Sequence, residues 1–157
     1  MADLFWPGDE RAGVHFTEAA FLRAMIAVEE EWLGRPVEVS VDLDGLARDA
    51  EAGGNPVIPL VRMLREGLTR LDPDGAPLLH RGLTSQDVVD SALMRMADVA
   101  VADVRRDLVA IVGALVRLAT EHRDTPMVAR TLTQHAVPTT FGLRVAAWLT
   151  AVLDAAD

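Results

Sequence analysis

The 157-residue chain is predicted to be all-α, and three observations carry that prediction. Apolar residues recur at steps of three and four over residues 88–122, the period that keeps one face of a helix apolar. The other apolar stretches are short, helix-phased and separated by turn formers. No segment shows convincing period-two alternation, and there is no internal repeat or low-complexity tract.

Five helices follow in order. The first, over residues 17–32, opens at Thr17-Glu18, carries Phe21, Met25, Val28 and Trp32 at helical spacing, and is stopped by Gly34 and Pro36. The second, 42–52, closes at Gly53-Gly54. The third begins near Pro59, a residue suited to a first helical turn, and runs to about residue 71, where DPDGAP forms a turn. The fourth, 88–122, has Val89, Leu93, Met96, Ala100, Val104, Leu108, Ile111, Leu115 and Leu118 in one stripe, no proline and a single glycine, Gly113. At about 1.5 Å per residue it is ~50 Å long, too long for a compact body of this chain length, so its stripe calls for neighbouring helices. The fifth starts after Pro138, capped by Thr139 or Thr140. It meets no stop signal, which leads to the expectation that the chain is an N-terminal piece of something longer.

Composition narrows the function. Half the residues are hydrophobic, which excludes a disordered chain. Cysteine is absent, so thiolate catalysis, disulfides and zinc–thiolate sites are excluded. The opening MADLFWPGDERAG lacks the basic flank and apolar core of a signal peptide, and charges interrupt every apolar run; a cytoplasmic protein with no membrane association is expected. Net charge is −9, and all 15 basic residues are arginine. An acidic chain without a basic block argues against nucleic-acid binding, and the lack of lysine removes Schiff-base and P-loop chemistry.

Two polar knots stand out. In LLHRGLTSQDVVDSALM (78–94), Thr84 and Asp87 have the spacing of a capping box, which leaves His80, Arg81, Ser85 and Gln86 unexplained. Helix-start amides beside adjacent hydroxyls suit a carboxylate or phosphate. In MVARTLTQHAVPTTFG (127–142), Arg130, Thr131, Thr133, Gln134 and His135 lie between two prolines. The alternation of Ala129, Thr131 and Thr133 has no partner strand in view, so a polar loop is expected. Two such knots at the ends of long helices point to a shared anion site.

These residues also carry a resemblance. HRGLTSQDVVDSA resembles the first characteristic region of the fumarase/aspartase superfamily, H-x-G-x-T-S-x-D-x-x-D-T. MVARTLTQHAVPTTFG resembles the second, G-R-T-H-x-Q-x-A-x-P-x-T-x-G. Within the superfamily the chain is most similar to the bacterial enzymes that cyclise 3-carboxy-cis,cis-muconate in aromatic degradation, through AGGNPVIPLVRMLR, TSQDVVDSALM and HRDTPMVARTLTQHAVPTTFGLRVAAWL. Adenylosuccinate and argininosuccinate lyases are the alternative. Those lyases place a catalytic histidine directly after R-T, where this chain has Leu132, which cannot move a proton.

The resemblance implies an N-terminal helical domain over 1–80 and the first part of a long-helix central bundle over 81–157. It implies a homotetramer in which each active site draws three regions from three subunits. The third region, a G-S-S-x-M-P-x-K-x-N-P loop, does not occur in this sequence, so the chain alone is expected to be inactive. The implied substrate is a small polycarboxylate, with no metal and no organic cofactor. Thr84, Ser85 and Gln86 would bind one carboxylate, and Thr131 and Gln134 a second, with Arg130 offsetting charge. His135, or else His80, would handle the proton. Against all of this stands a non-enzymatic reading, a helical module that only oligomerises through its stripe.

Overall fold

The computed structural model describes residues 8, 13 and 15–156. The reading of the opening MADLFWPGDERAG therefore falls almost wholly outside the described residues. Five helices dominate, α1 (Glu18–Leu33), α2 (Leu43–Gly53), α3 (Val57–Leu71), α4 (Ser85–Glu121) and α5 (Phe141–Ala156). The all-α expectation holds, with helix over 66% of the described residues.

Local chemistry sets most of the helix ends. The Thr17 hydroxyl accepts from the Ala20 amide at 3.2 Å and opens α1. Gly34, at φ 76°, closes it in the left-handed conformation that glycine adopts without a Cβ clash. Pro56 takes the cap position of α3, and just ahead of it Asn55 Oδ1 accepts from the Val57 amide at 2.8 Å; Pro59 thus lies inside the first turn rather than opening it. Helix α4 starts at Ser85, three residues before the apolar stripe, because the polar knot itself forms its first turn. The Thr140 hydroxyl accepts from the Leu143 amide at 3.2 Å, as a cap for α5.

One expectation is corrected. The segment read as a polar loop is an antiparallel β-hairpin, β1 (Pro126–Arg130) and β2 (His135–Thr140). Alternation was present in the sequence, but the partner strand contains Pro138, which was read as a boundary. In a two-stranded ribbon every strand has a free edge, so a proline can pair there without removing a ladder bond, and Pro138 sits opposite Val128.

Two compact units form, Met1–Ala100 and Val101–Asp157, with α4 passing from one into the other. In the first, Met25, Val57, Leu60, Leu64, Leu79, Val88 and Ala92 make a continuous buried core from α1, α3, the loop after it and the start of α4. Glu31 and Arg95 tie α1 to α4 at 2.6 Å. In the second, α5 begins against the end of α4. The Gly142 amide donates to the His122 carbonyl at 2.9 Å, and a Cβ there would lie 2.5 Å from the Arg123 Cα, so only glycine permits the approach. Phe141 meets the His122 ring edge-on, with centroids 5.2 Å apart.

The 37 residues of α4 span ~55 Å. Its buried residues are Val88, Ala92 and Met96, all in the first third. Beyond them Val101, Val104, Val109, Ile111, Val116 and Leu118 are exposed, Val109 by 73%. Among the described residues no helix is long and apolar enough to cross a membrane.

Candidate functional site

The first knot is held from behind and closed at its front. Thr84 and Asp87 form a capping box: Asp87 Oδ2 accepts from the Thr84 amide at 2.7 Å and from its hydroxyl at 2.8 Å, and the Asp87 amide donates to Thr84 Oγ1 at 3.3 Å. The Thr84 amide, then its hydroxyl, and more weakly the charge of His80 hold the Asp87 carboxyl below its ordinary range. Gln86 donates to Asp90 at 2.6 Å. Ser85 takes the first helical position half-buried and has no hydrogen-bond partner for its hydroxyl among the described residues. The structure therefore brings Thr84, Ser85 and Gln86 onto one helical turn, and of these three side chains Ser85 is the uncommitted one.

His80 stands just behind that turn. Its Nδ1 lies 2.6 Å from Oε1 of Glu29, a carboxylate with no exposed surface. Sequence reading missed Glu29. A signal did exist: it falls four residues after buried Met25, on the inward phase of α1.

The second knot is open. The Thr131 amide donates to the Gln134 carbonyl at 3.1 Å and closes the hairpin, with Thr133 in the left-handed region at φ 65°. Register pairs Arg130 with His135, and a bulge between Val128 and Arg130 re-aims the strand ends. From Arg130 through His135 every residue is exposed, and Leu132 at the tip is 90% exposed. A groove of about 760 Å³ on this unit is lined by Arg130, His135, Thr139, Phe141, Arg144 and Trp148 among others. Thr131 and Gln134 do not line it.

Arg144 is the other residue the sequence reading missed. Its guanidinium lies over the Trp148 ring, 5.6 Å from the centroid, one turn back along α5. The i, i+4 spacing of Arg144 and Trp148, directly after the hairpin, was the available signal. Two arginines and a histidine around an aromatic wall suit a small anion with an apolar or conjugated body. Among the described residues no group of three His, Asp or Glu side chains is placed to hold a metal ion.

A family profile described as "Lyase" matches residues 12–156. The nitrosuccinate lyase of Streptomyces davaonensis is 48% identical over 115 residues, 73% of this chain and 24% of that protein. The 3-carboxy-cis,cis-muconate cycloisomerase of Bradyrhizobium diazoefficiens is 42% identical over 105 residues, 67% of this chain and 23% of that protein. The crystal structure of beta-carboxy-cis,cis-muconate cycloisomerase from Acinetobacter calcoaceticus sp. ADP1 superposes with a TM-score of 0.80 at 25% identity, over 95% of this chain and 39% of that one. The chain thus spans about a quarter of the length of the curated relatives it matches.

Proposed function

The chain belongs to the lyase family of the fumarase/aspartase superfamily, and from that premise we propose that the whole protein is a cycloisomerase of 3-carboxy-cis,cis-muconate. One carboxylate of the substrate adds across the conjugated diene to close a lactone, and a proton is delivered to the carbon alpha to another carboxylate. In reverse, that proton is removed and the ring carboxylate departs. Negative charge gathers on the carboxylate next to the proton-bearing carbon, so fixed donors lower the barrier. Ser85 and Thr84, with the amides that open α4 and with Gln86, bind one carboxylate. Thr131 and Gln134 bind a second, and Arg130 and Arg144 offset the charge that develops. His135 exchanges the proton or acts as electrophile, with His80 as the other candidate. Neither a metal nor an organic cofactor enters this chemistry.

The observation that carries the reading is Leu132 at the hairpin tip, in the place where the amine-releasing lyases have a histidine. An amine must be protonated before it can leave. A carboxylate leaves as a stable anion and needs no donor. Leucine at that position therefore fits a leaving group that departs unprotonated.

The same logic admits a second reading, favoured by the 48% identity to a nitrosuccinate lyase. Here a proton is lost from the carbon beside the C–N bond of a nitrosuccinate, that bond breaks, and the nitro group departs as nitrite, again a stable anion. Adenylosuccinate- and argininosuccinate-type substrates fit less well, because their nitrogen must be protonated to leave.

Each knot contributes to an active site completed by sister subunits of a homotetramer. The exposed apolar face of α4 beyond Met96 supports this, since neighbouring helices would cover it. A cytoplasmic setting belongs to the same reading. The test is to follow the diene absorbance of 3-carboxy-cis,cis-muconate with the natural protein. Loss of absorbance is expected. Turnover of nitrosuccinate with the diene untouched would move the assignment to the second reading, and fumarate release from adenylosuccinate with neither of the others consumed would overturn both.

A further inference from the structure

Three side chains, two from α1 and one from α3, converge on the tripeptide Leu79–His80–Arg81. Arg65 Nη2 donates to the Leu79 carbonyl at 2.8 Å. Trp32 Nε1 donates to the Arg81 carbonyl at 2.9 Å. Between these two clamps, the His80 ring meets Glu29 at 2.6 Å. His80 itself sits at φ 59°, a left-handed conformation that costs a residue with a Cβ on the order of 1–2 kcal/mol. Such a conformation persists where the surroundings over-determine it, and it concentrates at functional positions.

Glu29 is as unusual as the backbone. It is the one charged residue wholly withdrawn from solvent among the described residues, and its Oε2 has no hydrogen-bond partner there. A carboxylate buried for stability alone is a poor investment, since an apolar side chain of similar volume would serve as well or better. With Glu29 as the carboxylate, which only accepts, His80 Nδ1 is the donor on the short contact, and Nε2 is then the nitrogen left to meet a ligand. The His80 side chain keeps 16% of its surface exposed, five residues before Ser85 opens α4. His135, by contrast, has no orienting partner among the described residues and is exposed on a strand end.

Building on the functional reading above, we propose that Glu29 is a positioning residue that holds His80 with Nε2 presented to the substrate, which makes His80 the prepared imidazole of this chain. Carboxylate–imidazole pairs serve this purpose wherever the outward nitrogen must bind or exchange a proton in a fixed orientation.

The test has two arms. In the first, long-range ¹H–¹⁵N spectra of histidine-labelled protein report the tautomer of His80 without any substrate. The neutral ring is expected to carry its proton on Nδ1 in the wild type and to revert toward the Nε2–H form in Glu29→Gln. A wild-type ring with its proton on Nε2, or a Glu29→Gln spectrum unchanged from wild type, overturns the proposal; the wild-type spectrum decides even if the variant fails to fold. In the second, Glu29→Gln in the natural protein is expected to lower kcat on 3-carboxymuconate by about 10- to 100-fold with KM little changed. An unchanged kcat overturns the positioning role. If the wild type consumes neither 3-carboxymuconate nor nitrosuccinate, the proposed reaction fails while the tautomer arm still decides on Glu29 and His80.

Discussion

The two polar knots look alike in the sequence and differ in the folded chain. At the start of α4 the polar groups mostly bind one another: Thr84 with Asp87, Gln86 with Asp90, His80 with Glu29. Behind them lie Leu79, Val88 and Ala92, all buried. At the hairpin, residues 131–135 stand in solvent and their side chains bind nothing among the described residues; only the backbone bond from Thr131 to Gln134 closes the turn. A knot that satisfies itself against a core is rigid on its own. A knot that presents unsatisfied donors gains partners only when something docks on it, whether substrate or a sister subunit. Removing an interlocked group at the first should show in stability and activity together, and removing a solvent-facing side chain at the second should show chiefly in activity.

The largest expected effect lies at the second knot. His135→Ala in the natural protein should lower turnover by about 10²–10⁴-fold, the range for a lost proton-transfer group, with the melting midpoint of the chain unmoved. If the non-enzymatic module reading held, no activity would exist to lose. His80→Gln, which removes the imidazole held by Glu29, is expected to lower turnover as well, and the pair of variants ranks the two histidines.

At the first knot the response should be mixed. Thr84→Ala removes the hydroxyl half of the capping box while the backbone amide at position 84 still donates to Asp87, and it should cost about 0.5–2 kcal/mol in urea unfolding. Ser85→Ala removes a hydroxyl with no internal partner, so its unfolding free energy should stay within roughly 0.5 kcal/mol while activity falls. Equal stability losses for the two would erase the contrast between a capping and a ligand-facing hydroxyl.

A smaller effect separates strain from function at the hairpin tip. Thr133 is β-branched at φ 65°, so Thr133→Gly should stabilise the chain by up to ~1 kcal/mol once the entropy of glycine is offset. If turnover drops in the same variant, the strained turn is part of the site.

The smallest is a pH effect. The folded carboxyl of Asp87 is lowered, chiefly by the Thr84 amide. Its contribution is therefore present above the unfolded value of about 3.9 and disappears as pH falls through the lower folded value. Asp87→Asn should flatten that part of the acid limb in unfolding curves, and an unaltered limb would contradict the cap.

Most of the fold was legible because helix ends are local. Thr17, Gly34, Gly54 and Thr140 each act within a turn of themselves, and the sequence names them directly. The hairpin was not, because its strand pairing joins residues as far apart as Pro126 and Thr140 and depends on whether proline falls on a free edge. Of the candidate site, the two knots were legible as dense polar clusters, and the capping box as a spacing. Glu29 and Arg144 were not singled out. The role of Glu29 depends on a contact 51 residues away, and that of Arg144 on a groove formed only when α5 packs beside the hairpin.

The central claim, that this chain serves a reaction whose leaving group departs as an anion, is tested most directly by ranking substrates on the leaving group alone. Natural protein would be presented with the muconolactone, nitrosuccinate, argininosuccinate and adenylosuccinate under one set of conditions. Turnover of one or both of the first two, with the amine-releasing pair untouched, is the predicted result. Efficient release of fumarate from either amine-bearing substrate would contradict it.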